Sequence, residues 1–217
     1  DCIADELIAF LKKFVGELNL GPAYDPETGM GPIMNEGHLK FVTDWIQKGV
    51  DEGAELIVDG RNPVVPGYEN GFFLAPTIFD HVTEEMSVGH DEIFGPVLCI
   101  KRVKDFEEGL AIMNTSPFAN GSVIYTQNGY YAREFSKRTD AGMVGINVGI
   151  PVPLGIFGFT GHKDSFFGDL HVMGMDGVRF FTEQKNVTAT WFSEDTEVCG
   201  KVDTWDGTIS SMPENTK

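Results

Sequence analysis

The chain has 217 residues, enough for one large domain with a substantial core, and its hydrophobic content of 41% is ordinary for a globular protein. Its formal net charge of −17, from 33 acidic and 16 basic residues, argues against binding to nucleic acid or to an anionic membrane surface. No apolar run approaches the length needed to cross a bilayer, so we expect no membrane partner.

The first half of the chain predicts two helices, a strand and a loop. Apolar residues at positions 3, 7, 11, 14, 15 and 18 recur with helical spacing, and Gly21-Pro22 ends this helix. Asn35 is the predicted N-cap of a second helix, and Gly53 marks its end. A short strand follows at 55–59, and a Pro/Gly-rich excursion occupies 61–71.

The second half alternates strands and helices at short spacing. Strands are predicted at 97–103, 122–126 and 143–148, with helices at 105–113 and 130–139 between them. This alternation is typical of βαβ units in a mainly parallel sheet with flanking helices, and it predicts the α/β class. Residues 150–161 form a Gly/Pro/Phe loop, which indicates a binding surface or lid, or else a hydrophobic plug against a neighbouring domain.

The end of the chain changes pattern. Residues 179–192 alternate polar and apolar side chains as an edge strand does, and an open edge invites pairing with another subunit. Residues 193–217 are acidic and rich in turn formers. The sequence therefore predicts a main domain at 1–178, an oligomerisation strand at 179–192 and an acidic tail at 193–217.

The stretch SVGHDEIFGPV at 87–97 places an acidic run against Phe94 and a Gly95-Pro96 break, just before a predicted strand. One interpretation is a surface turn whose acidic residues face water while Phe94 covers the core. The other is ligand recognition, in which the Glu92 carboxylate accepts two hydrogen bonds from a sugar diol and the Phe94 ring packs on a flat heterocycle. The local sequence leaves both interpretations open.

The sequence contains no recognisable self-contained active site. It has no nucleophile elbow, HExxH motif, paired CxxC or phosphate-binding loop, and its five histidines are scattered, so no metal site is predicted. The three cysteines, Cys2, Cys99 and Cys199, lack metal-ligand spacing, which predicts free thiols, a reducing compartment and a cytoplasmic location. Cys99 lies in an apolar strand and Cys2 among acidic residues, so both are predicted to be poor nucleophiles.

Three motifs together resemble a known family. EIFGP at 92–96, the strand end at Asn147, and GHKDS at 161–165 occur in the order and spacing of the C-terminal portion of the aldehyde dehydrogenase superfamily. The resemblance runs from the first helix to about residue 192. Within the superfamily, IPVPL at 150–154 and FGFTG at 157–161 are similar to the CoA-acylating malonate or methylmalonate semialdehyde dehydrogenases.

The resemblance implies an NAD-dependent enzyme that oxidises a small aldehyde through a cysteine thioester, with CoA or water releasing the acyl group. It implies that Glu92 holds the ribose hydroxyls next to the nicotinamide and that Phe94 packs beside that ring. It also implies that the strand at 186–192 joins an oligomer sheet. The residues implied to lie near the aldehyde tunnel are Asn147, Ile150, Phe157 and Phe159.

By the family pattern, the nucleophilic cysteine and the dinucleotide-binding domain precede the region matching Asp1, so no catalytic residue is expected in this chain. The leading hypothesis is the C-terminal part of a semialdehyde dehydrogenase, inactive alone, that forms a homo-oligomer or pairs with an N-terminal half. A second hypothesis is a non-catalytic truncated relative that acts as an oligomerisation or regulatory partner. A third is an independent nucleotide binder.

Overall fold

The computed structural model describes residues 2–189, which form an α/β fold. The helices are α1 (Ala4–Gly16), α2 (Glu36–Asp51), α3 (Phe106–Thr115), α4 (Gly129–Arg138) and α5 (Gly174–Phe180). The strands are β1 (Glu55–Val58), β2 (Thr77–Asp80), β3 (Val97–Cys99), β4 (Phe118–Ala119), β5 (Gly121–Ile124), β6 (Met143–Ile146) and β7 (His162–Lys163). Among these described residues, no helix has the length and apolar character of a membrane span.

Helix α2 begins and ends where the sequence predicts. The side-chain oxygen of Asn35 accepts a hydrogen bond from the His38 backbone N–H at 2.8 Å, which satisfies one of the free donors of the first turn. Gly53 follows the helix with a φ of 95°, a left-handed conformation that glycine adopts without steric cost. Both predicted boundaries of α2 are therefore confirmed.

The strands of the described residues form three small sheets. Strand β2 lies between β1 and β3, antiparallel to β1 and parallel to β3. Strands β5 and β6 are parallel and are joined by α4, which makes the expected βαβ unit, while β4 and β7 are antiparallel. Parallel and antiparallel pairings are thus equally represented in this part of the chain, and the sheet is less uniformly parallel than predicted.

Strand β2 is absent from the sequence prediction. Its segment ends in Asp80, a residue type that is depleted in strands, which obscured the pattern. All four residues of β2 are buried, and the Asp80 charge is balanced by Arg102, whose Nη2 lies 2.6 Å from Asp80 Oδ2. The strand predicted at 97–103 is real but shorter, since β3 ends at Cys99.

The main core lies between α2 and the first sheet. Val42 and Ile46 on α2 are fully buried, as is Phe79 on β2. Ile93, from the stretch that contains Glu92, belongs to the same cluster and is 7% exposed. Burial of one such side chain stabilises a fold by about 1.5–3 kcal/mol, so Ile93 anchors this loop in the core.

The predicted oligomerisation strand at 179–192 is not formed in the part that the structure describes. Arg179 and Phe180 belong to the last turn of α5, and no strand occurs in 181–189. The Thr182 hydroxyl donates to the Val178 carbonyl at 2.6 Å, which extends helical contacts past the end of α5. A strand needs a partner for its backbone groups, and the described chain offers none here. Residues 190–192 and the predicted tail at 193–217 lie outside the described residues.

Candidate functional site

The candidate site is the loop at 90–96, between a 3₁₀ turn (Ser87–Gly89) and strand β3. Phe94 has a φ of 55°, a left-handed conformation that is unusual for a bulky residue and costs about 1–2 kcal/mol. Such strain persists only where the surrounding contacts hold the backbone in place. The contacts around Phe94 therefore define the site.

Helix α2 holds both ends of this loop. At its C-terminal end, the Glu52 carboxylate accepts hydrogen bonds from the Ser87 hydroxyl at 2.7 Å and from the Ser87 backbone N–H at 2.8 Å. These bonds, the hydroxyl bond first, lower the pKa of Glu52. At the N-terminal end, His38 Nε2 lies 2.9 Å from the Phe94 carbonyl oxygen. A carbonyl oxygen only accepts hydrogen bonds, so Nε2 carries the proton and donates it.

The middle of the loop also contacts α2. Gly95 approaches the helix so closely that a Cβ at this position would lie 2.7 Å from Cγ1 of Val42. With Ile93 and Gly95 turned toward the core, the Phe94 side chain points outward and is 78% exposed. The interpretation in which Phe94 covers the core is therefore wrong.

Glu92 lines a groove of about 460 Å³. The other lining residues are Phe118, Asn120, Asp164 and Ser165. Glu92 and Phe94 also line a second depression of about 330 Å³, together with Asp91. Glu92 thus lies between two concave surfaces and close to an exposed aromatic ring.

The wall opposite Glu92 is built from the antiparallel pair β4–β7. The Ala119 N–H donates to Ser165 Oγ at 2.9 Å, and the Asp164 N–H donates to the Pro117 carbonyl at 3.0 Å. These bonds fix the segment that presents Asp164 to the groove. Because Glu92 and Asp164 are both acidic, the groove favours neutral or cationic polar groups over phosphate.

Comparison with known proteins identifies the family. Residues 1–187 match the sequence model described as the aldehyde dehydrogenase family. The chain belongs to the aldehyde dehydrogenase family. The family membership that the resemblance predicted from EIFGP and GHKDS is confirmed, and it agrees with the α/β fold.

Within this aldehyde dehydrogenase family, the chain is 48% identical over 192 residues to malonate-semialdehyde dehydrogenase 1 of Oceanobacillus iheyensis, covering 88% of this chain and 39% of that relative. It matches the crystal structure of a methylmalonate-semialdehyde dehydrogenase from Oceanimonas doudoroffii with a TM-score of 0.83 and 42% identity, over 87% of this chain and 39% of that one. A Sinorhizobium meliloti structure, provisionally named methylmalonate-semialdehyde dehydrogenase and complexed with NAD, gives a TM-score of 0.85 and 41% identity. The match covers 89% of this chain and 39% of that one. The chain spans about two fifths of the length of the curated relatives it matches.

The four residues that the aldehyde dehydrogenase resemblance places near a substrate tunnel follow strand β6. Asn147 has a φ of 55°, and its side chain accepts from the Thr126 N–H at 2.8 Å and donates to the Thr126 carbonyl at 2.9 Å. This amide therefore links the ends of β5 and β6. Ile150 and Phe157 are 76% and 60% exposed, and Phe159 is half-buried. Their role in a tunnel stays a prediction.

The described residues of this aldehyde dehydrogenase chain include two cysteines, both free thiols. Burial raises the pKa of Cys99 to about 11, so its thiol is neutral near pH 7 and is a poor nucleophile, as predicted. Cys2 is exposed on the first turn of the chain, away from the groove at Glu92. Cys199 lies outside the described residues.

One cluster with possible metal ligands was not found from the sequence. Ligand atoms of Glu55, Asp80 and His81 lie within 4.8 Å of one another, at the end of the first sheet where Glu55 of β1 pairs with Asp80 of β2. Arg102 donates to both Asp80 carboxylate oxygens, and these hydrogen bonds lower the pKa of Asp80. The guanidinium charge disfavours a cation at this position, so the cluster is better explained as an ion-pair network.

Sequence reasoning also missed several residues that surround Glu92. His38 and Phe94 are 56 residues apart, and the contact between them leaves no local signal. Asp164 and Ser165 belong to the GHKDS motif, which indicated the family but not a position on the groove. Asn120 belongs to none of the motifs that the sequence reveals. Asn120 directly follows β4 and Asp164 directly follows β7. The shared polarity of these two residues at strand ends was the one signal that could have grouped them.

Proposed function

We propose that this chain is part of an NAD-dependent malonate or methylmalonate semialdehyde dehydrogenase and supplies the loop that binds the nicotinamide ribose. The observation that carries the proposal is the position of Glu92 in an open groove, beside an exposed Phe94 whose backbone is held in a strained conformation. The proposal is supported by the identity to a malonate-semialdehyde dehydrogenase and by the NAD complex of a relative with the same fold.

The chemistry of the groove fits the nicotinamide end of NAD. A carboxylate accepts two charge-assisted hydrogen bonds from the neighbouring hydroxyls of a ribose. The oxidised nicotinamide ring is a flat cation, which an aromatic face and nearby carboxylates stabilise. Glu92, Asp91 and Asp164 supply this negative charge. The same charge would repel the pyrophosphate, which we therefore place outside the groove.

In this proposal, the residues of the chain bind and orient, and they do not attack the substrate. When bound, NAD accepts a hydride. Glu92 holds the ribose, and Phe94 shields one face of the ring from water. We assign the nucleophilic thiolate and the dinucleotide-binding domain to the part of such an enzyme that this chain does not match, because the chain covers 39% of its relative and Cys99 is held neutral by burial. CoA or water would displace the acyl group from that thiolate, with the thioester C–S bond breaking as the new bond forms, and we expect this chain alone to be inactive.

A chimera tests the proposal. The matched part of the Oceanobacillus iheyensis relative is replaced by the 192 matching residues of this chain, and NADH formation is measured by absorbance. We expect activity with malonate or methylmalonate semialdehyde, with and without CoA. Circular dichroism confirms folding. A folded chimera that reduces no NAD with any aldehyde would contradict the proposal.

Glu92→Gln in the active chimera tests the role of the carboxylate. Charge-assisted hydrogen bonds contribute about 1.5–3 kcal/mol, so we expect the KM for NAD to rise about tenfold or more. Glu6→Gln, on the exposed face of α1 and away from the groove, is the matched control and should leave KM unchanged. An unchanged KM for Glu92→Gln would remove Glu92 from the cofactor site.

A further inference from the structure

The Phe94 carbonyl is held by a residue from a distant part of the chain, and we infer that His38 is a positioning residue for the NAD-binding loop. Its Nε2–H donates to the Phe94 carbonyl oxygen at 2.9 Å and so holds the outward-facing Phe94 in place near Glu92. This inference rests on the proposed function of Glu92 and Phe94. It adds a residue of helix α2 to those that position the loop, and His38 is not among the residues that line the groove or the second depression.

The His38 side chain is itself held in place. Its ring stacks on Phe41 with a centroid distance of 5.8 Å and an interplanar angle of 16°. Phe41 in turn makes an edge contact with Trp45 at 6.2 Å, and Trp45 packs against the main core. The His38 backbone N–H donates to the Asn35 cap. A ring fixed by these neighbours presents its N–H in one direction at little further entropic cost.

The loop needs such a bond at this position. With a φ of 55°, Phe94 would relax to an ordinary extended conformation if its peptide group were free to rotate. Rotation of this peptide would turn the carbonyl away from α2 and change the direction in which the exposed Phe94 ring points. Gly95 lies close to Val42, and this contact limits movement of the loop toward α2. It does not fix the rotation of the Phe94 peptide. The bond from His38 supplies the missing restraint.

Two variants separate the hydrogen bond from the ring. His38→Phe keeps an aromatic ring on Phe41 and removes the N–H, whereas His38→Gln removes the ring and keeps an N–H donor. The matched control is His81→Phe, at a histidine with a 57% exposed side chain after strand β2, which lines neither the groove nor the second depression.

The first measurement is hydrogen exchange on the 217-residue chain without any nucleotide. The reporters are the amides of Asp91 and Val97, which donate to the Ser87 and Gly95 carbonyls at the two ends of the loop. We expect His38→Phe to speed the exchange of these amides about tenfold, which corresponds to the free energy of one ordinary hydrogen bond. His38→Gln should restore most of the protection. Unchanged exchange in His38→Phe, or an equal rise throughout α2, would overturn the inference.

The second measurement is steady-state kinetics in the chimera. We expect His38→Phe to raise the KM for NAD about fivefold to tenfold with little change in kcat, and His38→Gln to recover most of this loss. A fall in kcat with unchanged KM would also overturn the inference. Because the exchange experiment uses no NAD, an inactive wild-type chimera would contradict the proposed function while leaving the restraint by His38 measurable.

Discussion

At the scale of single residues, Gly95 shows how closely the candidate loop approaches helix α2. A Cβ at this position would lie 2.7 Å from Cγ1 and 2.8 Å from Cγ2 of Val42, a side chain with 0% exposure. Valine is stiff about χ1 and the surrounding core is densely packed, so the backbone would have to move. Glycine is required here by close approach to the helix.

We therefore expect Gly95→Ala to lower the free energy of unfolding by about 1–3 kcal/mol, as overpacking of a core does. Urea denaturation followed by circular dichroism measures the loss. Gly31→Ala is the matched control, because a Cβ at Gly31 meets no atom within 4 Å. Adding Val42→Ala should make the double variant lose less than the sum of the single variants. Strictly additive losses would show that the two positions do not interact.

Asp80 is a buried carboxylate whose charge depends on Arg102. Its side chain is 3% exposed, and hydrogen bonds from Arg102 lower its pKa. A group with a lowered pKa in the folded state stabilises the fold above its unfolded pKa of about 4. This contribution is lost as the pH falls from there through the folded pKa, because the protonated form binds Arg102 less strongly.

We expect Asp80→Asn to lower the free energy of unfolding at neutral pH by about 1–3 kcal/mol and to flatten its decline in acid. Urea midpoints measured from about pH 7 to about pH 3 report both effects. The control is Asp44→Asn, which removes an exposed ion pair with Lys40 and should change stability by about 0–1 kcal/mol. If the wild type and Asp80→Asn lose stability in parallel on acidification, the pair with Arg102 does not set the acid response.

The residues of the candidate site differ in how far the sequence could reveal them. Glu92 and Phe94 lie in one short motif, and the family resemblance gave both their place and their proposed role. The exposure of Phe94 and its left-handed backbone depend on Ile93 and Gly95 packing inward, which no local pattern shows. The hydrogen bond from His38 arises only when α2 lies across the loop.

At the scale of elements, Lys163 joins strand β7 to the end of helix α3. Its Nζ donates to the carbonyls of Asn114 at 2.7 Å and Ser116 at 3.1 Å, and it lies 2.9 Å from Asp140 Oδ2. The last carbonyls of a helix lack partners within the helix, and a cation there also interacts favourably with the helix dipole. Lys163 therefore caps α3 and fixes the strand that precedes Asp164 in the groove.

We expect Lys163→Met to lower the free energy of unfolding by about 1–2 kcal/mol, because it removes a cation that caps free carbonyls but keeps a long apolar side chain. Chemical denaturation measures this value, and Lys12→Met on the exposed face of α1 is the control. The Lys163→Met variant should also raise hydrogen exchange in the last turn of α3. Full stability with unchanged exchange in that turn would rule out capping by Lys163.

The elements were predictable where local chemistry decides them. The cap at Asn35 and the left-handed Gly53 place the ends of α2 within a residue of the observed ends. The βαβ unit β5–α4–β6 follows from the spacing of apolar residues, which changes from strand to helix and back to strand along the chain. Strand β2 escaped because Asp80 depends on Arg102, a contact between residues distant in sequence. The strand predicted at 179–192 is not formed in 179–189. Alternating polar and apolar residues do not by themselves supply a second strand to pair with.

At the scale of the whole molecule, a large apolar surface is open to solvent. The loop after β6 and helix α5 lie together, because the Gly174 N–H donates to the Gly155 carbonyl at 3.1 Å and the Phe159 N–H to the Val172 carbonyl at 2.9 Å. We call this the loop–helix surface. Its most exposed apolar members are Ile150, Leu154, Ile156, Phe157, Met175, Phe180 and Phe181. A group of exposed apolar side chains of this kind is typical of a surface that other polypeptide covers.

We expect the chain to be a dimer or larger at micromolar concentration, with the loop–helix surface in the contact. The net charge of −17 opposes this association, so the average mass should rise with salt as the repulsion is screened. Light scattering at low and high salt measures both effects. Ile150→Ser combined with Phe157→Ser should shift the mass toward the monomer, whereas Val64→Ser, at a still more exposed valine outside the surface, should not. A monodisperse monomer at every salt concentration would show that the loop–helix surface does not drive self-association, and it would leave a different polypeptide as the partner that covers it.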